Sequence, residues 1–287
     1  MTTTSHRQTS RRWRASLLLL GLTGLLGTGC SGLRYEDDDT LWAESNDRFD
    51  SGQYEDSIEY YDEILRRDEE EARALLRRAI AHERTGETSQ ALRDYARAGE
   101  LGESRGWLYR ANLNIKTGAL GEAEQDLTRV RNANLDNRDQ VVQLTLVGTL
   151  RLKQGQTQMA AQSLERATDL GKGYNDADTR RHLANAHYNA SDAYYKLGDF
   201  SRAYDHMLSY ASTSGPAPTS EQELLETPAG HLSGRDNFML GLLAYLNHDY
   251  EAAEIHFSRA DPELVAEARK ELDDPTLGSG APAGGVK

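Results

Sequence analysis

The chain carries one cysteine, Cys30, in 287 residues. A lone thiol excludes a disulfide within the molecule, so an exported body rests on its own core for stability. Proline is nearly as scarce, with six residues and none before Pro216. About 200 residues without proline, carrying Ala, Leu, Arg and Glu throughout, favour an all-helical body. Neither HExxH nor CxxC occurs, which removes two common metal and dithiol signatures. Long apolar runs are missing too: Ala15 to Leu26 is too short to span a bilayer comfortably. Positive charge is in deficit, 33 Lys+Arg against 46 Asp+Glu for a formal charge of −13. That balance argues against nucleic acid and against an anionic membrane surface as general partners.

What is present begins with an address. Arg7, Arg11, Arg12 and Arg14 precede the apolar run and small residues follow it, the layout of an export signal. The run ends in Leu26-Gly27-Thr28-Gly29-Cys30, which resembles the lipobox of bacterial lipoproteins, with Gly27 where leucine is usual. The resemblance implies that residues 1–29 are a lipoprotein signal peptide and that Cys30 is acylated, palmitate being one such chain, and becomes the N-terminus. Each buried methylene would add about 0.8 kcal/mol of anchoring. Ser31, rather than aspartate, after the cysteine points by the same resemblance to the outer membrane, with the body facing the periplasm of a bacterial envelope. A plain signal peptide with an incidental thiol and an uncleaved anchor stay open. Ser10-Arg11-Arg12-Trp13 resembles a twin-arginine signal only in its pair. Removing residues 1–29 takes away four arginines and no acid and moves the formal charge to −17. Residues 30–39, with Glu36 to Asp39 in a row, read as a lipidated cysteine and a solvated spacer.

The body repeats. Ala72 to Glu103 reads as two amphipathic helices joined at Thr85-Gly86, with small residues at Ala79, Ala91 and Ala98. This layout resembles a tetratricopeptide repeat, whose unit of roughly 34 residues keeps small residues at places 8, 15, 20 and 27. Asp38 to Glu71 repeats it with Leu41, Phe49, Gly52, Tyr54, Ser57, Tyr61 and Ile64. Ser104 to Asn137 does so with Trp107, Ala111, Gly118, Ala123 and Leu127. Further units start at Val141, Ala184 and Gly234, giving approximate spans 38–71, 72–103, 104–137, 141–174, 184–217 and 234–267. The sequence YYKLGDFSRAYDHM at Tyr194 to Met207 is close to the family consensus, whereas His248 takes a turn place where glycine is common. Asn175 to Leu183 is expected to lengthen the first helix of the fifth unit. Ser212 to Ser233 reads as a linker with a short helix around Glu221 to Glu226. Pro262 to Leu272 suits a capping helix, and the tail at 273–287, rich in Gly, Pro and Ala, is expected to be disordered. The fold expected for 40–272 is thus all-α: a right-handed superhelical solenoid of about six helical hairpins with a C-terminal cap.

The resemblance also implies a groove, lined by the first helix of each unit. Its places 2, 5, 9, 12 and 13 fall here on Trp42, Asn46 and Phe49; Arg73, Leu76, Ile80 and Arg84; Arg105, Leu108, Asn112 and Lys116; Thr145, Thr149 and Lys153; Tyr188, Asp192, Tyr195 and Lys196; and Phe238, Leu242 and Tyr245. Such a wall suits a peptide or amphipathic helix held by apolar anchors and charge-assisted bonds. The equal alternative for each of these residues, above all Leu76, Ile80 and Phe238, is packing against neighbouring helices. Trp42 and Arg77 stand where a carboxylate-clamp member of the family needs lysine and asparagine, so that clamp is not supported.

Signs of catalysis are thin. His182 and His187 are five apart and about 140° apart around a helix, off one metal-binding face. Asp178 and His182 do share a face, as surface pairs commonly do. The glycine-rich run Gly278 to Gly285 follows no strand and is no phosphate loop. The reading is therefore a non-enzymatic, lipid-anchored scaffold, with no cofactor or metal expected. Its partners would be envelope proteins or peptide segments, plus the membrane through Cys30. By resemblance such lipoproteins serve type IV pilus assembly, outer-membrane barrel insertion or control of peptidoglycan enzymes, and the number of units is most similar to the first. An enzyme with an unrecognised site is the alternative of another class.

Overall fold

A computed structural model describes residues 33–131, 133–214 and 232–272. The expected signal peptide with Cys30, most of the expected linker with its short helix, and the tail lie outside the described residues. After a 3-10 turn at Leu33–Tyr35 the described residues form thirteen α-helices: α1 Asp38–Asp50, α2 Tyr54–Arg67, α3 Ala72–Thr85, α4 Thr88–Glu100, α5 Ser104–Thr117, α6 Leu120–Arg129, α7 Asn137–Lys153, α8 Thr157–Gly171, α9 Ala177–Lys196, α10 Phe200–Ser214, α11 Gly234–Leu246, α12 Tyr250–Phe257 and α13 Pro262–Glu271. No strand occurs among the described residues. The helices form six antiparallel hairpins, α1–α2 to α11–α12, closed by α13. From α1 to α12 each helix packs on the next, α5 also packs on α7, and α7 on α9. This is an all-α solenoid whose odd-numbered helices share one wall.

Local chemistry sets the starts and stops. Each first helix opens on a side chain that accepts from a backbone N–H of its first turn: Asp37, Glu71, Glu103, Asp136, Asp176 and Ser233. These caps satisfy donors that a helix start leaves open. The hairpin turns need a left-handed residue; Gly86 provides it at φ 86°, and at the same place in the last hairpin His248 takes φ 64°. There the backbone bears a strain, from the histidine Cβ, that glycine would not.

The hairpins close by setting a large side chain on a small one. Nine residues after each turn residue stands Tyr61, Tyr95, Leu127, Leu164, Met207 or Phe257, all buried. On the partner helix, seven residues before the turn, stands Ser45, Ala79, Ala111, Gly148, Ser191 or Gly241. A Cβ on Gly148 would lie 2.4 Å from Leu164 Cγ, and one on Gly241 2.8 Å from Phe257 Cδ1. Glycine is required at both because the facing side chain already fills that space. Ala91 and Ala98 are fully buried in the same fashion. The cap joins this core through Val265 and Ala268.

In the second and third hairpins an ion pair ties helix to helix. Arg78 bonds Asp94 at 2.7 Å and Asp62 at 2.6 Å. Arg110 bonds Asp126, which is fully buried and also accepts from Arg129 at 2.7 Å and Asn114 at 3.3 Å. Both pairs stand eight residues before and eight after the turn glycine. Their carboxylates are neutralised and hydrogen-bonded where bare burial would be costly.

Candidate binding groove

The shared wall encloses a concave cavity of about 790 Å³ lined by α1, α3, α5, α7 and α9, with Tyr54 and Tyr95 reaching in from second helices. Its apolar floor includes Phe49, Tyr54, Leu76, Ile80, Tyr109, Ile115 and Leu146. Phe49 and Tyr54 meet edge to face with centroids 5.4 Å apart, and Tyr95 and Tyr109 lie 5.8 Å apart. Burial pushes the Tyr109 phenol up, so it stays a neutral hydrogen-bonding group at any ordinary pH.

The polar lining is mostly cationic. Arg77, Arg84, Arg105, Lys116, Lys153 and Arg181 line the cavity against two acids, Glu83 and Asp178. Arg77 sits over the Phe49 ring at 5.0 Å, with Asp50 at 3.9 Å. Arg105 bonds Asp139 at 2.9 Å, and Arg181 bonds Asp178 at 3.0 Å. Glu83 takes both Lys116 and the Tyr95 hydroxyl at 2.8 Å. Arg84 and Lys153 are exposed and have no carboxylate partner among the described residues. Asn189 donates to Thr149 at 2.9 Å and fixes α9 on α7. His182 is held neutral, its pKa lowered to about 4 by burial and then by Arg181.

Of the residues expected in the groove, the cavity brings together Leu76, Ile80, Arg84, Asn112, Lys116, Thr145 and Thr149, along with Phe49, Arg105 and Lys153. Leu108 is corrected: it is 1% exposed in the core of the third and fourth hairpins, because its side chain turns toward α6 and α7 rather than the open face. Trp42, Asn46 and Arg73 stand apart from the cavity as a local group. Arg73 lies 5.2 Å over the Trp42 ring, Trp42 meets Tyr61 edge to face, and the Tyr61 hydroxyl donates to Asn46 at 3.2 Å. Tyr188 packs on Tyr210, Tyr195 on Phe200, and Asp192 holds Lys196 at 2.7 Å, all outside the cavity. Phe238 and Tyr245 are partly buried against the last core, and Phe238 packs on Phe257.

The sequence frame missed the far wall. Asp178, Arg181 and His182 belong to the first turns of α9, which begins at Ala177 and is 20 residues long. Those turns precede the repeat frame, yet the continuous helix carries them over α5 and α7. The signal available was an unbroken helical pattern with an Asp176 cap, rather than a repeat place. Arg77 and Tyr109 were missed because both hold the sixth place, which this superhelix turns inward.

Residues 43–105 match the model of the tetratricopeptide repeat. Among solved structures, the described fold is similar to that of PilF from Pseudomonas aeruginosa, with a TM-score of 0.61 and 14% identity over 86% of this chain and 95% of that one. A structure of PilW, described as a widely conserved type IV pilus biogenesis factor, matches with a TM-score of 0.58 and 13% identity over 84% of this chain and 96% of that one. YrrB, described as a tetratricopeptide-repeat protein with an unusual peptide-binding site, matches at 0.50 and 18% identity over 73% of this chain and 97% of that one. No curated protein matches the sequence. Identities this low carry the fold and nothing finer. No group of three His, Cys, Asp or Glu that could hold a metal occurs among the described residues, and no described helix is long and apolar enough to cross a membrane.

Proposed function

We propose that this chain, a tetratricopeptide-repeat protein, is a binding scaffold that holds a segment of a partner protein in its concave groove while tethered to a bacterial envelope through a lipid on Cys30. One observation carries the reading: the first helices of five successive hairpins line one cavity of about 790 Å³, with apolar floor residues from α1, α3, α5 and α7 and two cations, Arg84 and Lys153, that have no carboxylate partner among the described residues. A wall built from separate repeats can recognise an extended segment side chain by side chain, which a single helix cannot. The lipobox-like Cys30 and the positive segment before it support the tether, and the similarity to a structure described as a type IV pilus biogenesis factor supports assembly of an envelope machine such as a pilus as the setting. The similarity to YrrB, a tetratricopeptide-repeat protein with an unusual peptide-binding site, supports a peptide segment as the occupant.

The test fills the groove without touching the core. Asn112→Trp and Asn185→Trp add bulk to lining positions that are partly or fully exposed. The double variant is expected to melt as the wild type does and to lose its co-purifying envelope partner from native cells; a partner retained at wild-type level would refute the groove. Cys30→Ala is expected to move the protein from the membrane to the soluble fraction, and continued membrane association would refute the lipid tether.

A further inference from the structure

The groove is cationic in a chain whose formal charge is −13, and the cations stand in register. Arg84, Lys116 and Lys153 each sit two residues before the turn glycine, in the last turn of α3, α5 and α7. Cations at helix C-termini are favourable in themselves, because the carbonyl ends carry about half a negative charge. The second helices show what that effect alone yields. Their last-turn cations are all engaged: Arg66 and Arg67 with Glu63, Arg97 with Glu70 and Glu100, and Arg129 with Asp126. On the inner helices Lys116 is held by Glu83, while Arg84 and Lys153 have no acid among the described residues. The unpaired cations are therefore a property of the groove rim and not of helix ends in general.

We infer that the groove selects an acidic, extended segment of its partner, with carboxylates laid along the rim made by the C-terminal turns of α3, α5 and α7. The inference rests on the groove reading above. Helices α5 and α7 pack on each other; packed helices stand about 8–10 Å apart and an extended chain advances about 3.3 Å per residue. Acidic residues about every third position would thus meet Lys116 and Lys153 on successive rungs, with a further carboxylate toward Arg84. The opposite rim carries the cap carboxylates Glu71, Glu103 and Asp136, each already accepting a backbone N–H. The field runs across the groove from the basic to the acidic rim, so an acidic segment has one favoured edge and a basic one is turned from it.

The probe is a fluorescein-labelled peptide of about twelve residues with Glu at every third position between Ala and Leu, read by fluorescence anisotropy on the full chain in detergent. Its counterpart has Lys in place of Glu. The Glu peptide is expected to bind at least about tenfold more tightly than the Lys peptide at low salt and to weaken as salt rises. Arg84→Glu with Lys153→Glu, both exposed positions, is expected to reverse that preference. Arg93→Glu with Lys270→Glu, an equal charge change outside the cavity, is expected to keep it. Equal affinity for the two peptides, no binding of either, or reversal by the outside pair as well would overturn the acidic preference. If the filled-groove variant still loses its cellular partner, such a failure removes the preference alone and leaves the scaffold.

Discussion

The second and third hairpins and the fifth and sixth use one repeat place in opposite ways. Eight residues after the turn stand Asp94 and Asp126 in the first pair and His206 and His256 in the second. Eight residues before the turn stand Arg78 and Arg110 in the first pair, but Ala190 and Leu240 in the second. The early hairpins thus set a carboxylate, half-buried at Asp94 and buried at Asp126, against arginine, and the late ones set an imidazole, half-buried at His206 and buried at His256, where no arginine stands opposite. His206 stacks on Tyr194 with centroids 5.4 Å apart and lies 3.0 Å from His187 through Nδ1. His256 is fully buried, and neither ring nitrogen has a hydrogen-bond partner among the described residues. At this one repeat place, therefore, the same backbone frame carries an ion pair in the early hairpins and a neutral imidazole in the late ones.

The largest expected effect breaks the first kind of contact. Arg110→Met leaves Asp126 buried with Arg129 and Asn114 alone, and is expected to cost on the order of 3 kcal/mol in urea unfolding. Arg110→Met with Asp126→Leu should recover most of that loss, because no bare charge remains. A single variant as stable as the wild type would show that the pair contributes nothing.

Acid should separate the halves. Burial lowers His182, His187 and His256 to about 4 in the folded chain. The unfolded chain takes up protons near 6.5, so these groups' stability contribution is intact above that pH and is lost as pH falls toward 4. For His256 the loss is on the order of 2–3 kcal/mol. Glu63, lowered to about 2 by Arg66 and then Arg67 against burial, loses its contribution in the same direction but in a lower window. Its contribution is present above about 4.5 and is lost only as pH falls toward 2. Hydrogen exchange at pH 5 is expected to show α9 to α13 opening more readily than α2 to α6, and equal opening would contradict the comparison.

How much of this was legible depended on spacing. The turn glycines and the small residues at Ala79, Ala91, Ala98 and Gly148 placed the hairpins, because helices that touch impose a size limit at fixed intervals. Groove residues were read less well. A repeat place defines an angle around a helix, and whether that angle opens on the cavity depends on how successive hairpins rotate. Leu108 fell into the core and Tyr109 into the groove for this reason. Arg181 and His182 were illegible from the repeat because the extra turns of α9 have no counterpart in the other units.

Smaller effects refine the contrast. His256→Leu removes two unpartnered buried nitrogens and is expected to stabilise by about 1–2 kcal/mol, with a larger gain at pH 5 than at pH 7; a destabilised variant would mean that the imidazole has a partner in solution. His248→Gly relieves the left-handed backbone and is expected to add about 1 kcal/mol. A fall in melting temperature would instead assign weight to the His248 contact with Tyr250.

The central claim is that a partner segment lies in the cavity across α3, α5 and α7. A photo-crosslinking amino acid placed at Asn112, inside the cavity, or at Arg93, on α4 outside it, tests this in the native cell. The account expects one dominant partner adduct from position 112 and none from position 93. Adducts of equal yield from both positions, or from position 93 alone, would contradict it.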